Sequence, residues 1–123
     1  MIKISFGKGT HRTPVDVNLS IEEIFLGIQR DNDIKLTYPT IKGRFEEAII
    51  KLHDKHKRRV VVLVDEYDKP ALDRIEEPEV AKQHREILKD FYSILKDADP
   101  YLKLVFITGV SRFSKVSIFS GLN

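Results

Sequence analysis

Val60-Val61-Val62-Leu63-Val64-Asp65-Glu66-Tyr67-Asp68-Lys69-Pro70 opens with five apolar residues, four of them valine, and then sets three acids within four positions. β-Branched side chains favour extended backbone. A run with no polar alternation is expected to be covered on both faces, as a central strand of a parallel sheet is. Pro70 has no N–H to give a sheet ladder and marks a loop. In open α/β sheets ligands bind in the crevice beyond the carboxyl ends of the strands, so Asp65, Glu66 and Asp68 fall where chemistry is expected.

Upstream, Ile2, Ile4 and Phe6 alternate with Lys3 and Ser5, which predicts an edge strand over about 2–6 with one apolar face. It runs into Gly7-Lys8-Gly9-Thr10. A phosphate-binding loop needs a glycine five positions before its Gly-Lys pair and a Ser or Thr directly after the lysine, and Ile2 and Gly9 stand there instead. The segment reads as a flexible turn. Ser20 and Glu23 have capping-box spacing, and Ile21, Ile24, Phe25 and Ile28 share one face of a helix over about 20–30. A second amphipathic helix over about 40–56 carries Ile41, Phe45, Ala48, Ile49 and Leu52 on one stripe. The basic run Lys55 to Arg59 then reads as cations complementing a helix C-terminus and staying solvated. His53 and His56 have a spacing that metal ligands use, but lysines flank them and no third ligand is evident.

Downstream, Ala71 to Pro78 is an acidic connection, and a third helix over about 79–96 places His84, Ile87, Leu88, Phe91 and Leu95 on one face. His84 on that stripe reads as a packed, hydrogen-bonded core residue. Asp97 to Pro100 breaks the helix, and a last strand spans about 102–108. Residues 111–123 are serine-rich and support no assignment. Helical crossovers imply three parallel strands, with the valine-rich one central and helices on the faces of the sheet: an α/β, three-layer arrangement. Val105 to Ile107 is too apolar for an unprotected edge, so something is expected to pair with it.

Composition excludes several classes. With 123 residues and 33% charged side chains the chain is one soluble domain's worth, and no apolar run approaches membrane-spanning length. Met1 to Phe6 is too short and too alternating for the core of a secretion signal. The absence of cysteine removes disulfides and thiolate metal sites, which fits a cytoplasmic setting. A net charge of +2 carries no whole-molecule case for nucleic acid.

A hydrophobic run closing on Asp-Glu is the Walker B pattern of nucleotide hydrolases. There Asp65 would hold Mg²⁺, a cation content with few protein oxygens plus water and phosphate, and Glu66 would polarise the attacking water. Thr108 ends the neighbouring strand, with Ser111 and Arg112 following towards the same crevice. VVVLVDEYDKPALD (60–73) and LKDFYSILKDADPYLKLVFITGVSRFSKVSIFSGLN (88–123), at this spacing, closely resemble the predicted AAA-ATPase-like family of P-loop NTPases. In that family the domain commonly precedes a PD-(D/E)XK nuclease-like domain in a longer chain. The resemblance implies Asp65 for Mg²⁺, Glu66 for water activation and Thr108 as a sensor-like polar residue. Arg112 matches the family's sequence without a settled role.

The resemblance also implies a glycine-rich loop ending in Gly-Lys-Ser, upstream of everything present, on a strand that pairs with the sensor strand. That strand is the neighbour which the apolar edge at 102–108 asks for. The expectation is therefore a partial domain, 1–123, running from the family's second strand through its sensor strand, from a truncated or split gene or a shortened polypeptide. Mg²⁺ with ATP would serve the complete site and bind these residues alone only weakly. Its partner at strand 102–108 would be the missing part of the domain or a second chain. The alternative is a non-catalytic interaction module that recruits a chain by strand addition at that edge. A metal-dependent nuclease using Asp65, Glu66 and Asp68 lacks the separated acids and lysine which that pattern requires.

Overall fold

The computed structural model describes residues 1–109. Its elements, in chain order, are β1 (Ile2–Ser5), α1 (Pro14–Asn32), α2 (Ile41–His56), β2 (Val60–Asp65), α3 (Lys69–Leu72), α4 (Pro78–Tyr92), α5 (Ile94–Asp97), a 3-10 turn (Asp99–Tyr101) and β3 (Leu102–Ile107). The three strands form one parallel sheet in the order β1-β2-β3, so the valine-rich strand is central and the alternating first strand lies beside it on one edge. Among these residues no helix is long and apolar enough to cross a membrane.

The helix expected over 40–56 is α2, and Thr40 caps it, its hydroxyl accepting from the Gly43 N–H at 3.0 Å. The helix expected over 20–30 is longer, because an earlier capping box begins it. Thr13 and Asp16 exchange side-chain and backbone hydrogen bonds, Pro14 occupies the first turn, and Val17 extends the buried stripe of Ile21, Phe25 and Ile28. The helix expected over 79–96 is divided at Ser93, whose hydroxyl donates to the Asp90 carbonyl at 2.6 Å and competes with regular backbone pairing. The connection after Pro70 is also partly helical, through α3.

The largest correction concerns layers. Ile2, Ile4, Phe6, Val60, Val62 and Val64 form one core with the buried stripes of α1, α2 and α4. The described residues therefore make two layers, not three. Crossovers between parallel strands are right-handed, and two crossovers stepping the same way across a sheet carry their helices to the same face. The other face presents Lys3 and Ser5 on β1, half-buried Val61 and Leu63 on β2, and Leu104 and Phe106 on β3, the last two 53% and 57% exposed. Val105 and Ile107, expected to be unprotected, turn towards the helices, and Phe106 is the exposed residue of that trio.

Phe91 of α4 lies at the centre of the core. Its ring stacks on Phe45 with centroids 4.7 Å apart and meets Phe25 and Phe6 edge-on at 6.1 and 6.4 Å. The sheet and all three long helices therefore converge on one side chain. On the rim, Arg44 reaches from α2 to Glu22 of α1 in a two-pronged pair at 2.5 and 2.6 Å, with its guanidinium 5.0 Å from the Phe25 ring centroid.

Candidate functional site

Alternation along β2 turns Val60, Val62 and Val64 to the helices, and it places exposed Asp65 at the carboxyl end of the central strand on the helix-free side. The next residue leaves the strand abruptly. Glu66 has φ +52°, in the left-handed region that costs a residue with a β-carbon about 1–2 kcal/mol. Such strain persists where surrounding bonds over-determine it. Here the Tyr67 N–H donates to the Thr108 carbonyl at 3.1 Å, the Lys69 N–H to the Glu66 carbonyl at 3.1 Å, and the Thr108 N–H to the Val64 carbonyl at 2.8 Å.

These bonds tie the end of β2 to the end of β3 and close the turn after it, bringing together residues distant in sequence. The Thr108 hydroxyl donates to Asp65 Oδ1 at 2.7 Å, and the Glu66 N–H approaches the same hydroxyl at 3.4 Å. On the opposite side the Glu66 carboxylate leans over the end of β1. A β-carbon at Gly7 would meet Glu66 Oε2 at 2.9 Å, so a larger residue there would displace the tip of the Glu66 side chain. Gly7 was read from the sequence only as part of a turn. The parallel register aligning Ser5 with Asp65 is the signal that ties it to the acids.

Asp65 and Thr108 are thus joined directly, whereas the Glu66 carboxylate lies towards the end of β1 and Arg112 lies outside the described residues. Tyr67 is fully buried, its ring 6.2 Å from that of Tyr92, so it packs beneath the loop. Burial first, and Asp68 second, pushes its hydroxyl above the usual tyrosine range. Asp68 is also fully buried. Lys69 is held by Asp73 at 2.6 Å. Among the described residues no three His, Asp or Glu side chains converge as a metal cage. The one carboxylate that could take part in holding Mg²⁺ there is Asp65, whose Oδ1 is oriented by Thr108 while Oδ2 has no protein partner among those residues.

His84 is fully buried and hydrogen-bonded, as its place on an apolar stripe predicts. Its Nδ1 lies 2.8 Å from the Pro70 carbonyl, which only accepts, so Nδ1 carries the proton. His11 is the less expected one. It is buried in the β1–α1 connection, with Nε2 2.8 Å from the Ser20 hydroxyl. Burial lowers its pKa below the ordinary 6.5; Lys69 and His84 push the same way, against Asp73 and Asp16. The unfolded chain therefore takes up this proton more readily than the folded one, and stability falls as pH drops below about 6.5. His11→Gln is expected to flatten that dependence. Urea midpoints on either side of pH 6.5 check it, and parallel slopes for the two proteins would reject the assignment to His11.

A family model described as Predicted AAA-ATPase matches residues 1–119. The chain belongs to this family. The AAA-ATPase-like chain is also 43% identical over 123 residues to an uncharacterized protein in the vnfD 5′ region of Azotobacter chroococcum mcd 1. That match takes in 100% of the chain but 24% of the relative's length. No solved structure matches it.

Proposed function

We propose that this chain supplies the metal-holding and water-activating half of an ATP hydrolysis site, and that the phosphate-binding half comes from polypeptide beyond these residues. The observation that carries the reading is the hydrogen bond from Thr108 to Asp65, beside Glu66 in its strained turn. In this reading β2 is a Walker B strand. Asp65 would hold Mg²⁺, and Glu66 would accept the proton of the attacking water. When bound with ATP, magnesium would neutralise charge on the phosphate oxygens. Thr108, its proton directed at Asp65, acts by positioning that carboxylate. Arg112 remains a nucleotide-sensing candidate on sequence grounds alone.

The phosphates require other groups. Triphosphate affinity rests on the backbone N–H groups and lysine of a glycine-rich loop, and no Gly-Lys-Ser or Gly-Lys-Thr occurs in this sequence. The outer edge of β3, unpaired among the described residues, and the open face around Leu104 and Phe106 fit the place where a loop-bearing strand and a second helix layer would sit. In that frame the chain runs from the second strand to the sensor strand of a larger domain.

The test joins two measurements. Calorimetric titration of Mg-ATP into the 123-residue chain is expected to show no appreciable binding, and tight binding would overturn the claim that essential phosphate contacts lie elsewhere. Grafted into the Azotobacter relative in place of its matching segment, the chain is expected to support Mg²⁺-dependent ATP hydrolysis. A graft that is folded yet neither binds nor hydrolyses ATP sinks the proposal. It would favour the second reading, an interaction module using the open edge of β3, for which exposed Leu104 and Phe106 speak.

A further inference from the structure

The end of the sheet opposite the carboxylates carries a second feature, and it is independent of the ATP reading. α2 stops when Lys57 adopts the left-handed conformation, φ +55°, and the chain turns through Arg58 and Arg59 into β2. The β2–β3 register slips here: Val60 aligns with Leu102 and Val61 with Leu104, so Lys103 has no partner on β2. Irregularities of this kind re-aim a side chain. Lys103 lines the same groove of about 830 Å³ as His56, Arg58 and Arg59, with Leu52 and Val61 among its apolar lining.

The cations in and beside this groove form no ion pair among the described residues. Among the described residues Lys57, Arg58, Arg59 and Lys103 are exposed and hold no carboxylate, whereas Arg44, Lys51, Lys69 and Arg74 are each paired with one. On a chain whose net charge is +2, four free cations at one end create a local positive field that the whole-molecule total conceals. Arginine's planar fork matches phosphate oxygens, and the recess suits a strand better than a flat bilayer surface. Its volume falls within the roughly 300–1,000 Å³ of ligand-sized clefts, and its apolar lining can face sugars. Among the described residues no Phe, Tyr or Trp lines it and His56 is its single aromatic ring, so successive bases have no stacking platform to be read on.

We propose that this groove binds the sugar-phosphate backbone of single-stranded nucleic acid without sequence preference. Arg58, Arg59 and Lys103 are the phosphate contacts, and Lys57 adds to the field. The test is fluorescence anisotropy of a labelled oligothymidine titrated with the full chain between about 50 and 200 mM salt. Saturable binding is expected, with affinity falling as roughly the second to third power of salt concentration. The triple variant R58E/R59E/K103E is expected to lose about tenfold or more in affinity, and the milder R58Q/R59Q to lose part of it with an unchanged circular dichroism spectrum. A control with equal charge change on α4 and α5, K82E/K89E/K96E, is expected to lose far less. Three results would overturn the proposal: no binding at the lowest salt, equal weakening in the control, or binding to anionic phosphatidylserine vesicles with none to the oligonucleotide.

Discussion

Glu66→Gln in the grafted, ATP-competent polypeptide is expected to lower ATP turnover by about two to four orders of magnitude, the usual contribution of a positioned general base. Mg-ATP affinity is expected to change little. Glutamine keeps the length and planarity of the side chain, so the fit over Gly7 survives, but an amide cannot take a proton from water. The division between turnover and binding separates a base from a structural acid. Loss of the folded turn would instead weaken both together. The measurement is steady-state hydrolysis alongside calorimetric Kd for both proteins, and equal turnover would remove Glu66 from the mechanism.

Phe91→Ala is expected to destabilise the fold by about 3–5 kcal/mol, the range for truncating a buried aromatic side chain. A domain's whole stability is only about 5–15 kcal/mol, so much of the population would unfold under mild conditions. Phe91 is 1% exposed and touches rings from β1's extension, α1 and α2, so a cavity there weakens every layer contact at once. Urea denaturation of the two proteins checks the difference. Phe91→Leu should recover a large share, since the site then loses shape more than volume. A change below about 1 kcal/mol for the alanine variant would mean that the helices collapse freely around the vacancy.

The helix ends show where local reading succeeds. The start of α2 near position 40 was legible because the stripe of Ile41, Phe45, Ala48, Ile49 and Leu52 begins there. Ser20 was misread for an equally local reason: it has a cap's spacing, yet Thr13-Pro14 begins the helix first and Ser20 ends up bonded to His11. The acids at the end of β2 were also legible, because a buried strand must surface somewhere and the first polar residues mark that place. Their environment was not. The hydroxyl that holds Asp65 lies 43 positions away, and the glycine beside the Glu66 carboxylate lies just past the end of another strand.

By itself the sequence determined three parallel strands, the central place of the valine run and the helical stripes, because side-chain periodicity and β-branching act over a few residues, and its motifs at 60–73 and 88–123 carried the resemblance to the family. Only the tertiary structure decided that the helices share one face, that Phe106 and not Val105 is exposed, and that Lys103 joins Arg58 and Arg59. Those outcomes depend on crossover handedness and on register between strands far apart in the chain. A one-residue slip of register changes which side chains meet without altering the local pattern of either strand.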